Sequence, residues 1–409
     1  MVDRTVGTGK RGRPGYPAAA AVFAIGMVGT TLPTPLYGLY QEQIGFSELM
    51  VTVVFAMYAI AVITTLLVAG NYSDAVGRRP VLLAAMGFSA ASACCFLLET
   101  GLPFLFAGRL LSGLSAGLLS GAATAAVIEL APPAKKARAA FAATAAKMSG
   151  LGCGPLLSGM LAQYAPRPLT LVFWVDLGLI AVACVLTWLL PETVENPNRW
   201  PRLSPQGISV PTGIKGVFVP ASVAAFAGFA LFGLFTAVAP SFVAMTLDVH
   251  NLAVSGAVAF SVFLASTIGQ SMTPKAGAVR ALPVGCAVLV VGLLLVGSSL
   301  LAESLPLLVL GALVGGTGQG LAFRGALTLI NDAAPPHKRA GTISAFFVLA
   351  YAGLALPVVG VGALTMVLGL RTAGLVFAGC VTAIAAGAGA YAAFHPPTQE
   401  CSRTSRRGA

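Results

Sequence analysis

Seven charged side chains stand within or beside long apolar runs: Asp74, Arg78, Arg79, Arg109, Lys147, Asp176 and Arg324. A lone charge in hydrocarbon costs at least roughly 3 kcal/mol, so such groups pair, bind solutes or carry protons. Covalent chemistry has no comparable set. There is no H-E-x-x-H zinc motif and no G-x-x-x-x-G-K-[ST] nucleotide loop. His250, His337 and His395 lie near loops, and the glycine-rich run at 315–320 falls inside an apolar segment rather than after a strand. The seven cysteines, Cys94, Cys95, Cys153, Cys184, Cys286, Cys380 and Cys401, show no paired spacing and read mostly as small buried residues. No metal or cofactor is expected.

The elements that position these groups follow from composition. Of 409 residues, 57% are hydrophobic and 9% charged, with mean hydropathy +0.89. A soluble domain carries roughly 25% charged residues. Apolar segments of about 20 residues recur, each long enough to cross a bilayer as a helix. The pattern predicts an all-α membrane protein with twelve spans, at about 17–39, 49–70, 81–98, 104–128, 139–162, 169–190, 216–246, 252–273, 281–301, 305–330, 341–367 and 372–394. The first run is too long for the apolar core of a signal peptide, so it is expected to be an uncleaved first helix. Residues 191–215 are rich in proline and charge and divide the chain near its midpoint. The expected organisation is a tail at 1–16, a six-helix bundle at 17–190, a linker at 191–215, a second bundle at 216–394 and a tail at 395–409.

A net charge of +11 would suggest nucleic acid as the partner of a soluble protein. Here the bases sit in short segments on one side of the spans, and the expected partner is the lipid bilayer. With the N-terminus inside, the inner segments hold Arg4, Lys10, Arg11, Arg13, Arg78, Arg79, Lys135, Lys136, Arg138, Arg199, Arg202, Lys215, Lys275, Arg280, Lys338, Arg339, Arg403, Arg406 and Arg407. The outer turns hold only Arg167 and Arg371. Positive charge collects on the cytoplasmic side, which predicts both termini in the cytoplasm of a multi-pass protein of the cell membrane. The halves also repeat at a shift of about 203 residues. Gly113 and Gly117 fall on Gly316 and Gly320, Glu129 on Asp332, Pro132-Pro133 on Pro335-Pro336, and Lys135-Lys136 on Lys338-Arg339.

Three motifs carry a resemblance. The turn Gly70-Asn71-Tyr72-Ser73-Asp74-Ala75-Val76-Gly77-Arg78-Arg79-Pro80 resembles the G-x-x-x-D-x-x-G-R-R loop between the second and third helices of major facilitator superfamily transporters. It departs from the commonest form at Tyr72 and Ala75, and its second-half counterpart, 270–280, lacks the acid and the arginine pair. Arg109, Gly113 and Gly117 resemble the fourth-helix R-x-x-x-G-x-x-x-G of superfamily exporters, with Ser112 where Gln is frequent. Gly150, Gly154, Pro155 and Gly159 resemble the G-x-x-x-G-P-x-x-G-G signature of drug/proton antiporters, with Ser158 in place of a glycine. Gly353, Pro357, Gly360 and Gly362 repeat that texture.

The resemblance implies two bundles related by an axis along the membrane normal, rocking about a central cavity. It implies a latch made by Gly70, Asp74, Gly77, Arg78, Arg79 and Glu129, with Asp74 reaching the start of the eleventh span. Spans 1, 4, 7 and 10 would line the cavity and present Thr30, Thr31, Thr34, Arg109 and Arg324. Pro33 and Pro35 leave carbonyls of the first helix without donors, so that helix must face protein or a cavity. Lys147 and Asp176 join as coupling candidates. The first helix has no carboxylate, which leaves Asp176 and Glu129 as the leading proton carriers. The implied function is export, by a monomer, of a small amphipathic compound in exchange for protons. Proton-coupled uptake of a sugar, osmolyte or organic acid stays open, since Lys147 and Arg324 suit an anion. So does an intramembrane enzyme, which would need a paired-acid, Ser–His or metal set.

Overall fold

The computed structural model describes residues 15–70, 72–98, 101–195 and 209–396. The basic N-terminal residues Arg4 to Arg13, Arg199 and Arg202 of the linker, Cys401 and the C-terminal arginines lie outside the described residues. Those that are described form helices and connecting turns. Twelve helices are long: α1 Tyr16–Ile44, α2 Glu48–Ala69, α3 Arg78–Leu98, α4 Leu102–Glu129, α5 Lys136–Tyr164, α6 Pro168–Leu189, α7 Thr212–Met245, α8 Leu252–Ala276, α9 Ala278–Ala302, α10 Leu305–Ala333, α11 Arg339–Leu368 and α12 Leu370–Phe394. All but α5 combine the length and the apolar content of a membrane span. At 29 residues α5 is long enough, but glycine, serine and lysine dilute its apolar face.

Two helices depart from their expected bounds for identifiable reasons. α1 continues to Ile44, past the expected end at 39, through a 3-10 turn at Thr34–Leu36. Pro35 has no N–H for the carbonyl of Thr31, and the hydroxyl of Thr34 donates to that oxygen instead, at 2.6 Å. α5 starts at Lys136 rather than 139, because the 3-10 turn Pro133–Lys135 feeds straight into it. Pro336–Lys338 does the same before α11. The break in α1 has a partner in α7, where a π-helical stretch at Leu234–Val238 precedes Pro240. The two lie about 203 residues apart, at one register of the repeat.

The packing repeats with the sequence. α4 contacts α1, α2 and α3, while α6 contacts α1, α3 and α5. Shifted by six helices, α10 contacts α7, α8 and α9, while α12 contacts α7, α9 and α11. The halves therefore form two six-helix bundles of one design. Glycines set the spacing. A Cβ at Gly113 would lie 2.5 Å from the Tyr58 carbonyl oxygen of α2, and one at Gly316 would lie 2.5 Å from the Val262 carbonyl oxygen of α8. Gly150 meets the backbone of α1 at Ala24, and Gly353 meets α7 at Phe226. Small residues permit this close approach where lipid offers no hydrophobic drive between helices. Gly117 sits against Thr65 and Gly320 against Ser266, again on matching helix pairs.

Candidate functional site

Between the bundles lies a cavity of about 780 Å³. Residues of α1, α2, α4, α5, α7, α8, α10 and α11 line it, and none of α3, α6, α9 or α12 does. The lining is therefore wider than spans 1, 4, 7 and 10 alone. Its walls are largely apolar and rich in aromatic rings, with Phe55 and Tyr58 from one bundle facing Phe229, Phe323 and Tyr351 from the other. The cavity runs as far as Gly70, Ile128, Ala140, Asn331 and Ala340, which sit at the helix ends nearest the 70–80 turn.

At the opposite end the bundles touch. The Ser241 hydroxyl donates to Glu48 at 3.2 Å, and the Leu252 N–H donates to Gln163 at 2.9 Å. Gly159 of α5 abuts the Leu252 backbone of α8, and Gly362 of α11 abuts Leu49 and Thr52 of α2. These two contacts are the same contact in the repeat, since 49 and 252 differ by 203, as do 159 and 362. A Cβ at Gly256 would likewise collide with the Pro155 carbonyl. The seam is built where helices carry no side chain, so it closes without interdigitation.

Three cations line the cavity: Arg109, Lys147 and Arg324. Arg109 is fully buried. Its Nη1 donates to the Thr30 carbonyl at 2.7 Å, its Nε donates to the Tyr37 hydroxyl, and its guanidinium carbon lies 5.1 Å from the Tyr37 ring centre. Thr30 precedes the break in α1 and Tyr37 follows it, so Arg109 straddles the break. Its Nη2 has no partner. Lys147 donates to the Ser120 hydroxyl at 3.1 Å and lies 6.0 Å from the Phe347 ring centre across the cavity. Arg324 donates to the Gln270 carbonyl at 3.1 Å. Thr30 and Thr31 also line the cavity; Thr34 does not, being buried at the α1 break. Asp176 is 2% exposed and sits away from the cavity, inside the first bundle. A Cβ at Gly29 would lie 2.9 Å from its Oδ2 and 3.0 Å from Ser89 Oγ. Its Oδ1 has no partner.

The 70–80 turn is a polar knot of the first bundle. Arg78 holds Glu129 through two hydrogen bonds, Nη2 at 2.8 Å and Nε at 3.2 Å, bonds Ser73 at 2.6 Å and pairs with Asp74. Arg79 lies 5.4 Å from the Trp188 ring centre. The N–H groups of Arg78 and Arg79 both donate to the carboxylate of Glu192, at 2.8 and 3.0 Å. Glu192 thus caps α3, placing a negative charge on the positive end of that helix. Gly77, at φ +113°, leaves room for it: a Cβ there would lie 2.7 Å from Glu192 Oε2. The resemblance implies a reach from Asp74 to the start of α11. In this structure the ion pair of Asp74 stays within its own bundle, at the end where the cavity opens.

A sequence model described as Major Facilitator Superfamily matches residues 19–356, most of the chain. The chain belongs to the major facilitator superfamily. Among its relatives, "Multidrug resistance protein 1" of Bacillus subtilis (strain 168) is 26% identical over 202 residues, 49% of this chain and 50% of the relative. "Quinolone resistance protein NorA" of Staphylococcus aureus (strain Mu50) is 21% identical over 179 residues, 44% of this chain and 46% of the relative. The matched stretch thus spans about half the length of these curated relatives. A bacterial homologue of the human lysosomal transporter Spinster shares the fold with a TM-score of 0.71 at 15% identity, over 94% of this chain and 98% of that one.

For a superfamily member the candidate residues divide cleanly. Thr30, Thr31, Arg109, Lys147 and Arg324 meet at one cavity. Gly70 lies at its open end, and Asp74, Arg78 and Glu129 join in the knot beside it. Gly150 and Gly154 pack against α1, Gly159 and Pro155 lie on the seam, and Pro357 lies within α11. Sequence reasoning missed Glu192 and Thr193, whose hydroxyl donates to Glu129 at 2.5 Å. The available signal was an acid just after the sixth span, on the same side as the turn. Among the described residues no cluster of His, Cys, Asp and Glu suits a metal ion.

Proposed function

We propose that this protein exports a small amphipathic compound from the cell in exchange for protons, with both chain ends in the cytoplasm. The observation that carries the reading is the aromatic cavity between two repeated bundles, reaching one end of the molecule and sealed at the other by the glycine seam. Largely apolar walls with a few polar groups suit a drug-sized compound. The α5 signature and the names borne by the matched relatives favour export. Asp176 is the proton site of this reading. It is enclosed by α1, α3 and α6, with Gly29 and Ser89 against its carboxylate, and Gly29 is the α1 neighbour of Thr30, whose carbonyl Arg109 holds. Uptake of an organic acid is the second reading, favoured by the cations in the cavity.

Susceptibility profiling of a deletion strain and an overexpressor selects the compound, and transport of that compound in proteoliposomes with an imposed pH gradient tests the mechanism. Export coupled to inward proton flow is expected. Transport that ignores the gradient removes proton antiport, and gradient-driven flow in the same direction as protons selects uptake.

The knot offers a second expectation. Asp74→Asn deletes the ion pair with Arg78 but leaves the paired hydrogen bonds from Arg78 to Glu129. The protein should fold in normal yield and transport several-fold more slowly, because the exposed Asp74 carboxylate can exchange Arg78 for α11 when the open end closes. Arg339 Nε, at the start of α11, is buried without a partner in the open form. Wild-type turnover in the variant reduces the knot to a membrane-surface anchor.

A further inference from the structure

The cavity carries three cations and, among the described residues, no carboxylate and no histidine lines it. Each cation has only neutral partners. Arg109 commits two of its nitrogens to Thr30 and Tyr37 and leaves Nη2 buried and unpartnered on the cavity wall. Lys147 has a hydroxyl and an aromatic face. Arg324 has a backbone carbonyl. Cation–π contact and neutral hydrogen bonds recover only part of the hydration that an embedded charge gives up. Three such charges around one space leave a site short of negative charge.

We infer that the transported compound is an organic anion: a carboxylate, sulfonate or phosphate head on an aromatic or branched apolar body. This deepens the transport reading and rests on it for the cavity's role, but holds for export and uptake alike. The head belongs with Lys147 and Arg324, and the body with the ring-lined wall. Lys147 stands on α5 of the first bundle and Arg324 on α10 of the second, so one anion meets charge from both halves. Phe323 and Phe347 bridge the two positions: Phe323 adjoins Arg324 in the chain, its ring lies 6.1 Å from that of Phe347, and Phe347 faces Lys147. A cationic amphiphile of equal size fits the same volume but meets only like charge there.

The test uses one apolar body with three heads: naphthalene-2-sulfonate, naphthalene-2-sulfonamide and a trimethyl(naphthylmethyl)ammonium salt. Binding is measured on the full chain in phosphatidylcholine nanodiscs, and counterflow of each probe in proteoliposomes. The sulfonate should bind about tenfold or more tightly than the sulfonamide, the gain expected of a charge-assisted contact. The ammonium salt should bind least. Lys147→Gln with Arg324→Gln should erase the preference, and Lys147→Arg with Arg324→Lys should retain most of it, which separates loss of charge from loss of fold. Equal or tighter binding of the neutral or cationic probe overturns the proposal, as does a preference that survives the double Gln variant.

Phosphatidylglycerol in the nanodiscs separates two sources of the anion. Unchanged sulfonate binding points to a soluble compound, and competition points to an anionic lipid in the same site. Anion binding without counterflow sinks the transport reading and leaves the site standing. Counterflow of the cation alone does the reverse.

Discussion

Gly159→Val is expected to yield folded protein that transports far more slowly. The Cβ it adds would collide with the Leu252 carbonyl, whose carbon would lie only 3.0 Å away. That neighbour is helix backbone and cannot swing aside. Overpacking of this kind costs about 1–3 kcal/mol, and valine adds two methyl groups beyond the first carbon. Because α5 and α8 belong to different bundles, the cost falls only on the state in which this end is closed. A coupling of that size shifts a two-state equilibrium by about 5- to 150-fold. The seam should stand open, the cavity should become reachable from the end it now excludes, and turnover should fall accordingly. Gly360→Ala is the control, since nothing lies within 4 Å of a Cβ there. Gly362→Val strikes the equivalent contact against Thr52 and should match Gly159→Val. The readouts are turnover in proteoliposomes, cysteine accessibility at the seam and thermal unfolding in detergent. Wild-type turnover in Gly159→Val means that α5 and α8 do not part during transport.

Much of this was legible because it depends on local composition. A bilayer fixes the length of each span, so apolar run lengths locate twelve helices even where α5 is diluted by glycine. Duplication fixes the repeat, so the shift that aligns Pro132-Pro133 with Pro335-Pro336 also pairs Gly159 and Leu252 with Gly362 and Leu49 in space. What resisted reading are contacts between segments distant in sequence that no motif links. Glu192 lies 114 residues from Arg78, in a stretch whose prolines and charges look like linker, yet its carboxylate caps α3. The width of the cavity lining was likewise invisible. Leu66 and Ala140 face the cavity through helix rotations that an apolar sequence does not encode, because every face of such a helix is apolar. The charges were the reverse case. Arg109, Lys147 and Arg324 announce themselves by their cost in hydrocarbon, and the fold brings all three to one space.

Arg109→Leu is expected to abolish transport while moving stability little, because two opposing terms act on the fold. Removing the guanidinium strands the Thr30 carbonyl and the Tyr37 hydroxyl, each of which costs about 1–3 kcal/mol when buried without a partner. The same change removes a charge whose burial costs several kcal/mol and whose Nη2 is matched by no hydrogen bond. The terms nearly cancel, so the melting temperature should shift by a few degrees only. Transport has no such compensation, because the side chain ties the two sides of the α1 break to α4, and α1 lines the cavity above it. Arg109→Lys restores the charge but offers one ammonium where a planar fork spans Thr30 and Tyr37, so it should fold and remain largely inactive. If Arg109→Lys transports normally, charge alone is what the site requires. If Arg109→Leu fails to fold, Arg109 is a strut for the broken helix, and the anion site rests on Lys147 and Arg324.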